Sequence, residues 1–228
     1  MPRKLAIVGY GKMGKLIEQF APEYDFEVAL KLDEFNNASG EGLTAANFAG
    51  IDVAIEFSIP AVVAANVEGV AALGVPIVVG TTGWLEHVER VKATIAKHGT
   101  ALVWSPNFSI GVNAFLRLVA EAAKLMAAEP EYGAWAWEIH HATKKDAPSG
   151  TLIKLVDAMK KAGYDRNIDV GSNRAGAIPG THEIGFDSAA DTITLRHTAR
   201  SREGFARGAL KAAQWVIGKK GFYEWPPV

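Results

Sequence analysis

The sequence predicts an α/β protein: an N-terminal doubly wound parallel sheet, followed by an α+β domain with a mixed or antiparallel sheet. Two observations predict the first part. Short apolar runs alternate with helical stretches through the first hundred residues, and a glycine turn follows the first run. A third observation predicts the second part, because its strand-like segments are grouped in the manner of an α+β domain.

Five short apolar runs are the predicted strands of the first part, at 4–8, 26–32, 51–57, 76–80 and 100–104. Helical patterns separate them, through Phe20 after the first run and at 60–73 and 85–97. Strands this short and apolar are typical of a sheet covered on both faces. The first hundred residues therefore predict a Rossmann-type unit.

The pattern changes near Pro106. The following predicted elements are an amphipathic helix at 109–128, a strand at 134–141, a helix at 150–162, strands at 182–187 and 191–198, and a last helix at 203–218. The segment 164–181 is rich in Gly, Asn and Asp, so we predict a long loop there.

Composition excludes several classes of function. The chain has 228 residues, 49% of them hydrophobic and 21% charged, with a net charge of -1 and no cysteine. A nearly neutral chain lacks the basic field of a nucleic-acid binder, and without cysteine there is no disulfide or thiolate metal site. The apolar run at the start is too short for a signal peptide, and no run reaches membrane-spanning length. We expect a cytoplasmic protein with neither nucleic acid nor membrane as a partner.

The glycine turn GYGKMG predicts a dinucleotide site. Gly9, Gly11 and Gly14 satisfy G-x-G-x-x-G between a predicted strand and a predicted helix, a context in which pyrophosphate approaches the helix N-terminus. Asp33 follows Gly14 by 19 residues, at the end of the second predicted strand, where an acid would bind the ribose hydroxyls. Asp33 would repel a 2′-phosphate, so NADH is favoured over NADPH, although Lys31 lies nearby.

Two further turns follow predicted strands and therefore lie at the carboxyl edge of the sheet, where ligands bind in such folds. Their residues suit a nicotinamide carboxamide: Gly80, Thr81 and Thr82 in the first, and Ser105, Pro106, Asn107 and Phe108 in the second. Taken alone, each turn is better explained as a plain polar loop.

The segment EIHHATKKDAPSGT predicts an anion site. Lys144 and Lys145 precede a helix start in which Pro148 suits the first turn and Ser149, Gly150 and Thr151 offer N–H groups and hydroxyls. Such a site exceeds the needs of one carboxylate, so a dicarboxylate or a phosphate is the expected ligand. Asp146 limits the positive charge and is placed to orient a lysine.

The two adjacent histidines have different positions on the predicted strand. Alternation places His141 with Trp135, Trp137 and Ile139, and His140 on the other face with Glu138. Either imidazole suits acid–base chemistry near neutral pH. A purely structural role stays open, but a shared metal is disfavoured, since the two side chains point apart and no H-x-x-x-H or cysteine partner exists. Arg174 and His182 are candidates to approach this site.

Together these residues carry a resemblance to a known family. HHATKKDAPSGT resembles the HHxxKxDAPSGT signature of the 4-hydroxy-tetrahydrodipicolinate reductases, also called dihydrodipicolinate reductases, of bacterial lysine biosynthesis. Further landmarks fall in order over essentially the whole chain: GYGKMG, EFSIP at 56–60, GTTG at 80–83, SPNFSIGVN at 105–113, GTHEIGF at 180–186 and FARGALKAAQW at 205–215.

The resemblance implies roles that spacing alone does not give. It implies that His140 is the catalytic histidine, that Lys144 is the proton donor, and that His141, Ser149, Gly150 and Thr151 bind the substrate. The implied cofactor set comprises Gly9, Tyr10, Gly11, Lys12, Met13, Gly14, Asp33, Gly80, Thr81, Thr82, Ser105, Pro106, Asn107 and Phe108. The implied reaction is reduction of a cyclic dicarboxylate imine by NADH or NADPH, with loss of water.

The resemblance also implies an organisation. It places the dinucleotide-binding domain at 1–106 and 200–228 and the substrate-binding and oligomerisation domain at 107–199, in a homotetramer assembled through the second sheet. The glycine turn is one residue shorter than in many members, and the 164–181 region is also short. Two alternatives stay open: another NAD(P)-dependent dehydrogenase of a small amino-dicarboxylate, and a non-catalytic dinucleotide sensor.

Overall fold

The computed structural model describes residues 1–226, which form ten strands and six α-helices. The strands are β1 Arg3–Val8, β2 Phe26–Leu32, β3 Val53–Glu56, β4 Ile77–Val79, β5 Ala101–Trp104, β6 Gly133–His140, β7 Ile168–Arg174, β8 Thr181–Asp187, β9 Thr192–Thr198 and β10 Gly221–Glu224. The helices are α1 Lys12–Phe20, α2 Pro60–Ala72, α3 Val88–His98, α4 Ile110–Ala127, α5 Gly150–Lys161 and α6 Glu203–Val216. Short 3-10 helices at Ala21–Tyr24 and Leu85–His87 precede β2 and α3.

The chain divides into two compact units. The first joins Met1–Ile110 to the chain from Arg202 onward, and the second is Gly111–Ser201. The first unit holds a six-stranded sheet in the order β10-β5-β4-β3-β1-β2, in which every pairing is parallel. This is the Rossmann-type sheet that the apolar runs predict, so the fold class is confirmed.

Alternate side chains of these strands feed two cores, one on each face of the sheet. Leu5, Ile7 and Ile55 pack with residues of α1 and α6, whereas Ala6, Val8 and Ala54 pack with residues of α2 and α3. All six of these strand side chains are at most 1% exposed. Burial on both faces explains why the strands read as continuous apolar runs rather than as alternating ones.

The second unit holds a four-stranded mixed sheet in the order β7-β6-β8-β9. β7 is parallel to β6, while β8 is antiparallel to both β6 and β9. One face of the sheet packs against α4 and α5, with Ala136, Ile184 and Phe186 fully buried. The predicted alternation along β6 is confirmed: Trp135, Trp137 and Ile139 are half-buried, whereas the residues between them are buried.

Two strands were not expected from the sequence. The segment 164–181, predicted as a long loop, contains β7, so that prediction is wrong. β7 is an edge strand in which only Ile168 is buried, and the rest of IDVGSNR is polar or exposed, which hides the apolar signal of a strand. β10 was also missed, because it is only four residues long and lies close to the chain end. Within the described residues, no helix is long and apolar enough to span a membrane.

Candidate active site

The glycine turn joins β1 to α1, and its three glycines have different reasons to be there. Gly9 has a φ of 98°, and a Cβ there would lie 2.3 Å from the carbonyl oxygen of Phe57. A Cβ on Gly14 would lie 2.7 Å from the carbonyl oxygen of Gly9. A Cβ on Gly11 would meet nothing within 4 Å. Packing within the chain therefore requires the first and third glycines, while the space beside Gly11 is open for a ligand.

The N-terminus of α1 is available to an anion. Gly11 is the N-cap, and no side chain there accepts a hydrogen bond from the first turn of the helix. Free N–H groups and the helix dipole together favour a negatively charged ligand at such an end. Lys12 is exposed at this helix start, and Met13 packs at the edge of the core below it. The geometry fits the pyrophosphate of a dinucleotide.

Asp33 lies beside the glycine turn because the turn is bonded to the end of β2. The N–H groups of Gly9 and Tyr10 both donate to the carbonyl oxygen of Leu32, at 2.9 and 3.0 Å. The carboxylate of Asp33 accepts from the backbone N–H of Phe35 at 2.9 Å, so it is held in a tight turn. The structure thus brings the predicted ribose-binding acid next to the predicted pyrophosphate turn.

Lys31 forms an ion pair with Glu18. Its ammonium lies 3.0 Å from Glu18 Oε1, and the Tyr10 hydroxyl donates to the other oxygen of the same carboxylate. The hydrogen bond from Tyr10, followed by that from Lys31, holds the pKa of Glu18 below its usual value. The cation nearest in sequence to Asp33 is therefore partly neutralised.

The two other turns at the carboxyl edge expose only part of their residues. Thr82 is exposed and Pro106 and Asn107 are half-exposed, whereas Ser105 and Phe108 are 2% and 1% exposed. The Ser105 hydroxyl lies 2.9 Å from the carbonyl oxygen of Asn107 and holds the turn in shape. Ser105 and Phe108 therefore act from within the protein, a distinction that the sequence did not give.

The Gly80–Thr81 pair is also shaped by packing. A Cβ on Gly80 would lie 2.1 Å from the ring of Phe57, so only glycine allows this strand end to pass the ring. Thr81 is buried, and so is Glu56 at the end of β3. Burial raises the pKa of Glu56, although hydrogen bonds from Ser58 oppose it. A largely closed polar layer thus lies beneath the exposed Thr82.

The second unit contains a buried polar cluster at the end of β6, centred on Glu138. This carboxylate is fully buried, and its Oε1 accepts from the Ser149 N–H at 2.8 Å, the Ser172 hydroxyl at 3.0 Å and the Arg174 guanidinium at 2.9 Å. The Ser149 hydroxyl donates to Oε2. Burial alone would raise the pKa of Glu138, but these hydrogen bonds outweigh burial and hold the pKa below its usual value.

Two imidazoles face the same carboxylate. His182 Nε2 lies 3.3 Å and His140 Nδ1 lies 3.5 Å from Glu138 Oε2, and the two rings meet edge to face at 5.0 Å. Burial lowers the pKa of His182 to about 4, with His140 adding to the effect. Burial also lowers the pKa of His140. Both rings are therefore neutral at neutral pH, each with one N–H to donate.

The side chains of His140 and His141 lie in different environments at the end of β6, as the alternation predicts. His140 is buried, and its Nε2 lies so close to Gly180 that a Cβ there would be 2.8 Å away. His141 is half-exposed, and its Nδ1 lies 2.8 Å from the Thr143 hydroxyl. One imidazole is thus held inside the cluster, while the other remains reachable from solvent.

Lys144 is oriented by Asp146, as its charge and position predict. The ammonium lies 2.7 and 2.9 Å from the two carboxylate oxygens. The hydrogen bond from Lys144 is the main reason that the pKa of Asp146 is lowered, and the Gly150 N–H adds to it. Lys145 is exposed. The Arg174 guanidinium donates to the Asp146 carbonyl oxygen, which ties this loop to the Glu138 cluster.

Helix α5 begins at Gly150, as the predicted helix at 150–162 does. Pro148 precedes the N-cap and is not in the first turn, so the prediction for Pro148 is wrong. Ser149 is the N-cap, and its hydroxyl accepts from the Leu152 N–H at 3.2 Å. The same hydroxyl also donates to Glu138, and Ser149 is only 2% exposed. Gly150 is exposed, and a Cβ there would meet nothing within 4 Å. The Gly150 N–H donates to the Asp146 carboxylate, so this end of the helix already attracts a negatively charged group.

The cluster also has the residue types of a metal site. Glu138, His140 and His182 offer ligand atoms that lie within 4.8 Å of one another. However, four hydrogen bonds already occupy the Glu138 oxygens, and the cation of Arg174 lies 2.9 Å from one of them. A divalent ion would have to displace these donors, so the residues fit a hydrogen-bonded cluster better.

Two members of the cluster were missed in the sequence. Glu138 was placed on the His140 face but given no role, and Ser172 lies in the segment predicted as a loop. A carboxylate on the buried face of a strand, two residues before a histidine, was the available signal, because a buried acid needs partners. Arg174 and His182 do approach the site, through Glu138.

Both halves of the chain match models of one protein family. Residues 3–108 match the model described as dihydrodipicolinate reductase, N-terminus, and residues 111–228 match its C-terminus counterpart. Curated relatives named 4-hydroxy-tetrahydrodipicolinate reductase include one from Christiangramia forsetii, 35% identical over 96% of this chain and 94% of its own. Another, from Archaeoglobus fulgidus, is 33% identical over 93% and 94% of the two chains.

The fold agrees with these matches. A dipicolinate-bound dihydrodipicolinate reductase from Paenisporosarcina sp. TG-14 superposes with a TM-score of 0.81, covering 98% of both chains at 22% identity. An aspartate dehydrogenase from Thermotoga maritima reaches 0.51 at 11% identity over 96% of this chain and 98% of its own, which indicates shared architecture alone. With both family models matched over nearly its whole length, the chain belongs to the dihydrodipicolinate reductase family.

Proposed function

We propose that this chain reduces 4-hydroxy-tetrahydrodipicolinate to tetrahydrodipicolinate, with NAD(P)H as the reductant and with loss of water, in lysine and diaminopimelate biosynthesis. It is an oxidoreductase with a nicotinamide dinucleotide cofactor. One observation carries the proposal: the Asp146 carboxylate accepts from both the Lys144 ammonium and the Gly150 N–H, so a cation and a helix start that attract a negative group lie together in the segment that follows His140, in a member of this family. A non-catalytic sensor would have no use for such a site.

The substrate site must hold two carboxylates on one ring, and the second unit offers suitable groups. The α5 N-terminus at Gly150 and Thr151 and the ammonium of Lys144 are cationic or N–H donors within one short stretch. His141 is the imidazole that solvent reaches, so it binds the substrate while Ser149 shapes the turn from inside. The dipicolinate of the Paenisporosarcina structure is a ring dicarboxylate, which supports this ligand class.

Proton transfer falls to Lys144 and His140. The bound nicotinamide supplies a hydride to the ring, and the neighbouring ring carbon must then receive a proton. Lys144 delivers this proton from an ammonium that Asp146 holds in place. His140 is neutral near pH 7 because burial lowers its pKa, so it can accept the ring proton that is removed when the hydroxyl leaves as water.

The cofactor belongs to the first unit in this proposal. Gly11 and the uncapped start of α1 would hold the pyrophosphate, and Asp33 the ribose hydroxyls. Thr82 and Asn107, the more exposed residues of the two edge turns, would bind the carboxamide. NADH is favoured, since Asp33 repels a 2′-phosphate and Lys31 is already paired with Glu18. NADPH is the second cofactor.

We also propose a homotetramer in the cytoplasm, assembled through the open face of the four-stranded sheet. Trp135 lies over Gly185 and Trp137 over Gly171, where Cβ atoms would come within 2.0 and 3.1 Å of the rings. Flat, half-exposed tryptophans with Ile139 beside them make an apolar face of the kind that oligomers cover.

The test is oxidation of NADH and of NADPH by the purified chain, with the unstable substrate generated in situ by the synthase that precedes the reductase. We expect synthase-dependent oxidation with both, and a higher kcat/KM with NADH. Binding of NADH without turnover would instead support the sensor. Turnover only with another amino-dicarboxylate would support the other alternative.

A further inference from the structure

Glu138 joins several parts of the candidate substrate site. Its Oε1 holds the Ser149 N–H at the start of α5 and the Arg174 guanidinium, and its Oε2 faces His140 and His182. Arg174 continues to the Asp146 carbonyl oxygen, in the loop that carries Lys144. The three strands β6, β7 and β8 and the start of α5 therefore meet at a single carboxylate, to which Arg174 links the Lys144 loop.

The hydrogen bonds from the two serines do not by themselves require a charge on this residue, but the largely buried Arg174 guanidinium does, because it pairs with the carboxylate. Burying a carboxylate is costly, and an amide of similar shape could accept the same hydrogen bonds from Ser149 and Ser172. The sequence nevertheless places an acid there, and the hydrogen bonds that reach it keep it ionised. The negative charge therefore balances Arg174, and it also acts on the two imidazoles that face the same carboxylate.

We propose that Glu138 is a positioning residue for the reduction: its carboxylate, 3.5 Å from His140 Nδ1, electrostatically supports the His140 imidazole, and through Ser149 and Arg174 it fixes the α5 N-terminus and the Lys144 loop. The inference rests on the roles proposed above for His140 and Lys144. Glu138 itself is fully buried, so it acts through these residues and not on the substrate.

The charges around His140 show what Glu138 contributes. Burial lowers the pKa of His140 most, and the cations of Lys144 and Arg174 lower it further, while Glu138 and Asp146 raise it. His182, the remaining titratable neighbour, is neutral with a pKa of about 4. Glu138 is the largest influence opposing burial, so its charge raises the pKa of His140 above what burial alone would give.

The experiment compares Glu138→Gln and Glu138→Asp with the unchanged chain. Histidines are labelled for NMR, His140 is assigned by the loss of its signal in His140→Asn, and its titration midpoint is followed. Removing a charge 3.5 Å away should lower the His140 midpoint in Glu138→Gln by roughly one pH unit. Glu138→Asp keeps the charge and should show a smaller shift.

Kinetics supply the second readout. Glu138→Gln should lose about tenfold or more in kcat, with NADH affinity unchanged, and Glu138→Asp should recover part of that loss. Glu89→Gln is the control, since Glu89 is exposed on α3 in the first unit, where it pairs only with Lys92 among the described salt bridges. It should change neither the His140 midpoint nor kcat.

The outcomes test the proposed role of Glu138 separately from the proposed reductase reaction. An unchanged His140 midpoint in a folded Glu138→Gln variant overturns it, even if the chain is an active reductase. The titration needs no turnover, so it remains informative if the assay for the proposed reaction fails. If Glu138→Gln does not fold, Glu138→Asp decides: wild-type values for both midpoint and kcat overturn the inference.

Discussion

At the scale of single residues, the candidate site separates side chains that the protein needs from those that only a ligand explains. Gly9 and Gly14 are required by contacts within the chain, but Gly11 and Gly150 lie where a Cβ would meet nothing within 4 Å. Both of these glycines are at helix starts, and the Gly150 N–H already donates to the Asp146 carboxylate. The sequence motif marks all of them alike, and only the packing tells them apart.

Alanine substitutions at Gly9 and Gly11 should therefore have opposite effects. Gly9→Ala combines a strained φ of 98° with a clash against Phe57, and should cost about 2 kcal/mol or more in the free energy of unfolding. Gly11→Ala should leave stability within about 0.5 kcal/mol of wild type and weaken NADH binding at least roughly tenfold. Urea denaturation and NADH fluorescence titration measure the two effects. Unaltered NADH binding in Gly11→Ala would count against the cofactor site.

At the scale of elements, apolar periodicity predicted what is buried and failed where burial is slight. The five short runs of the first unit became β1 to β5 with ends shifted by at most two residues. β7 was not predicted because it is an edge strand that pairs with β6 alone, and only Ile168 enters the core. The Glu138 cluster was not predicted for a related reason. Ser172 and Arg174 contact Glu138 from β7, and a local sequence pattern does not show which distant strands pair.

The start of α5 is the element on which substrate binding depends most. Ser149→Ala removes both the helix N-cap and a donor to Glu138, so it should lower the free energy of unfolding by about 1–2 kcal/mol. Dipicolinate binding, measured by calorimetry, should weaken with it. Ser39→Ala, at an exposed position between β2 and β3 in the first unit, is the control and should change neither quantity. Full dipicolinate affinity in Ser149→Ala would mean that this helix start does not bind the substrate.

At the scale of the whole molecule, the chain leaves its first unit after Ile110 and returns to it at Arg202. α6 then packs with α1 in the core on one face of the six-stranded sheet, through Ala206, Leu210 and Ala213. The family resemblance implied this return, but the apolar stripe of α6 could not, because it does not specify which sheet the helix covers. In the same way, the tryptophans on the open face of the second sheet do not specify which surface covers them in an assembly.

A charge on that face should disrupt the proposed tetramer. Wild-type protein should sediment at about four times the chain mass of 24.4 kDa. Trp137→Arg buries a charge in the proposed interface and should yield smaller species at micromolar concentration. Leu125→Arg, at an exposed apolar site on α4, is the comparison and should leave the mass unchanged. A wild-type chain that sediments as a monomer would refute the assembly.

The central claim is that Lys144 performs proton transfer in a reductase whose cofactor site is elsewhere in the chain. Steady-state kinetics of Lys144→Ala, with separate titration of NADH, test it most directly, and the neighbouring Lys145→Ala serves as the control. The account predicts a fall in kcat of roughly a hundredfold or more for Lys144→Ala, with the NADH Kd within about twofold of wild type. A kcat close to that of Lys145→Ala, or an equal loss of turnover and NADH affinity, would contradict it.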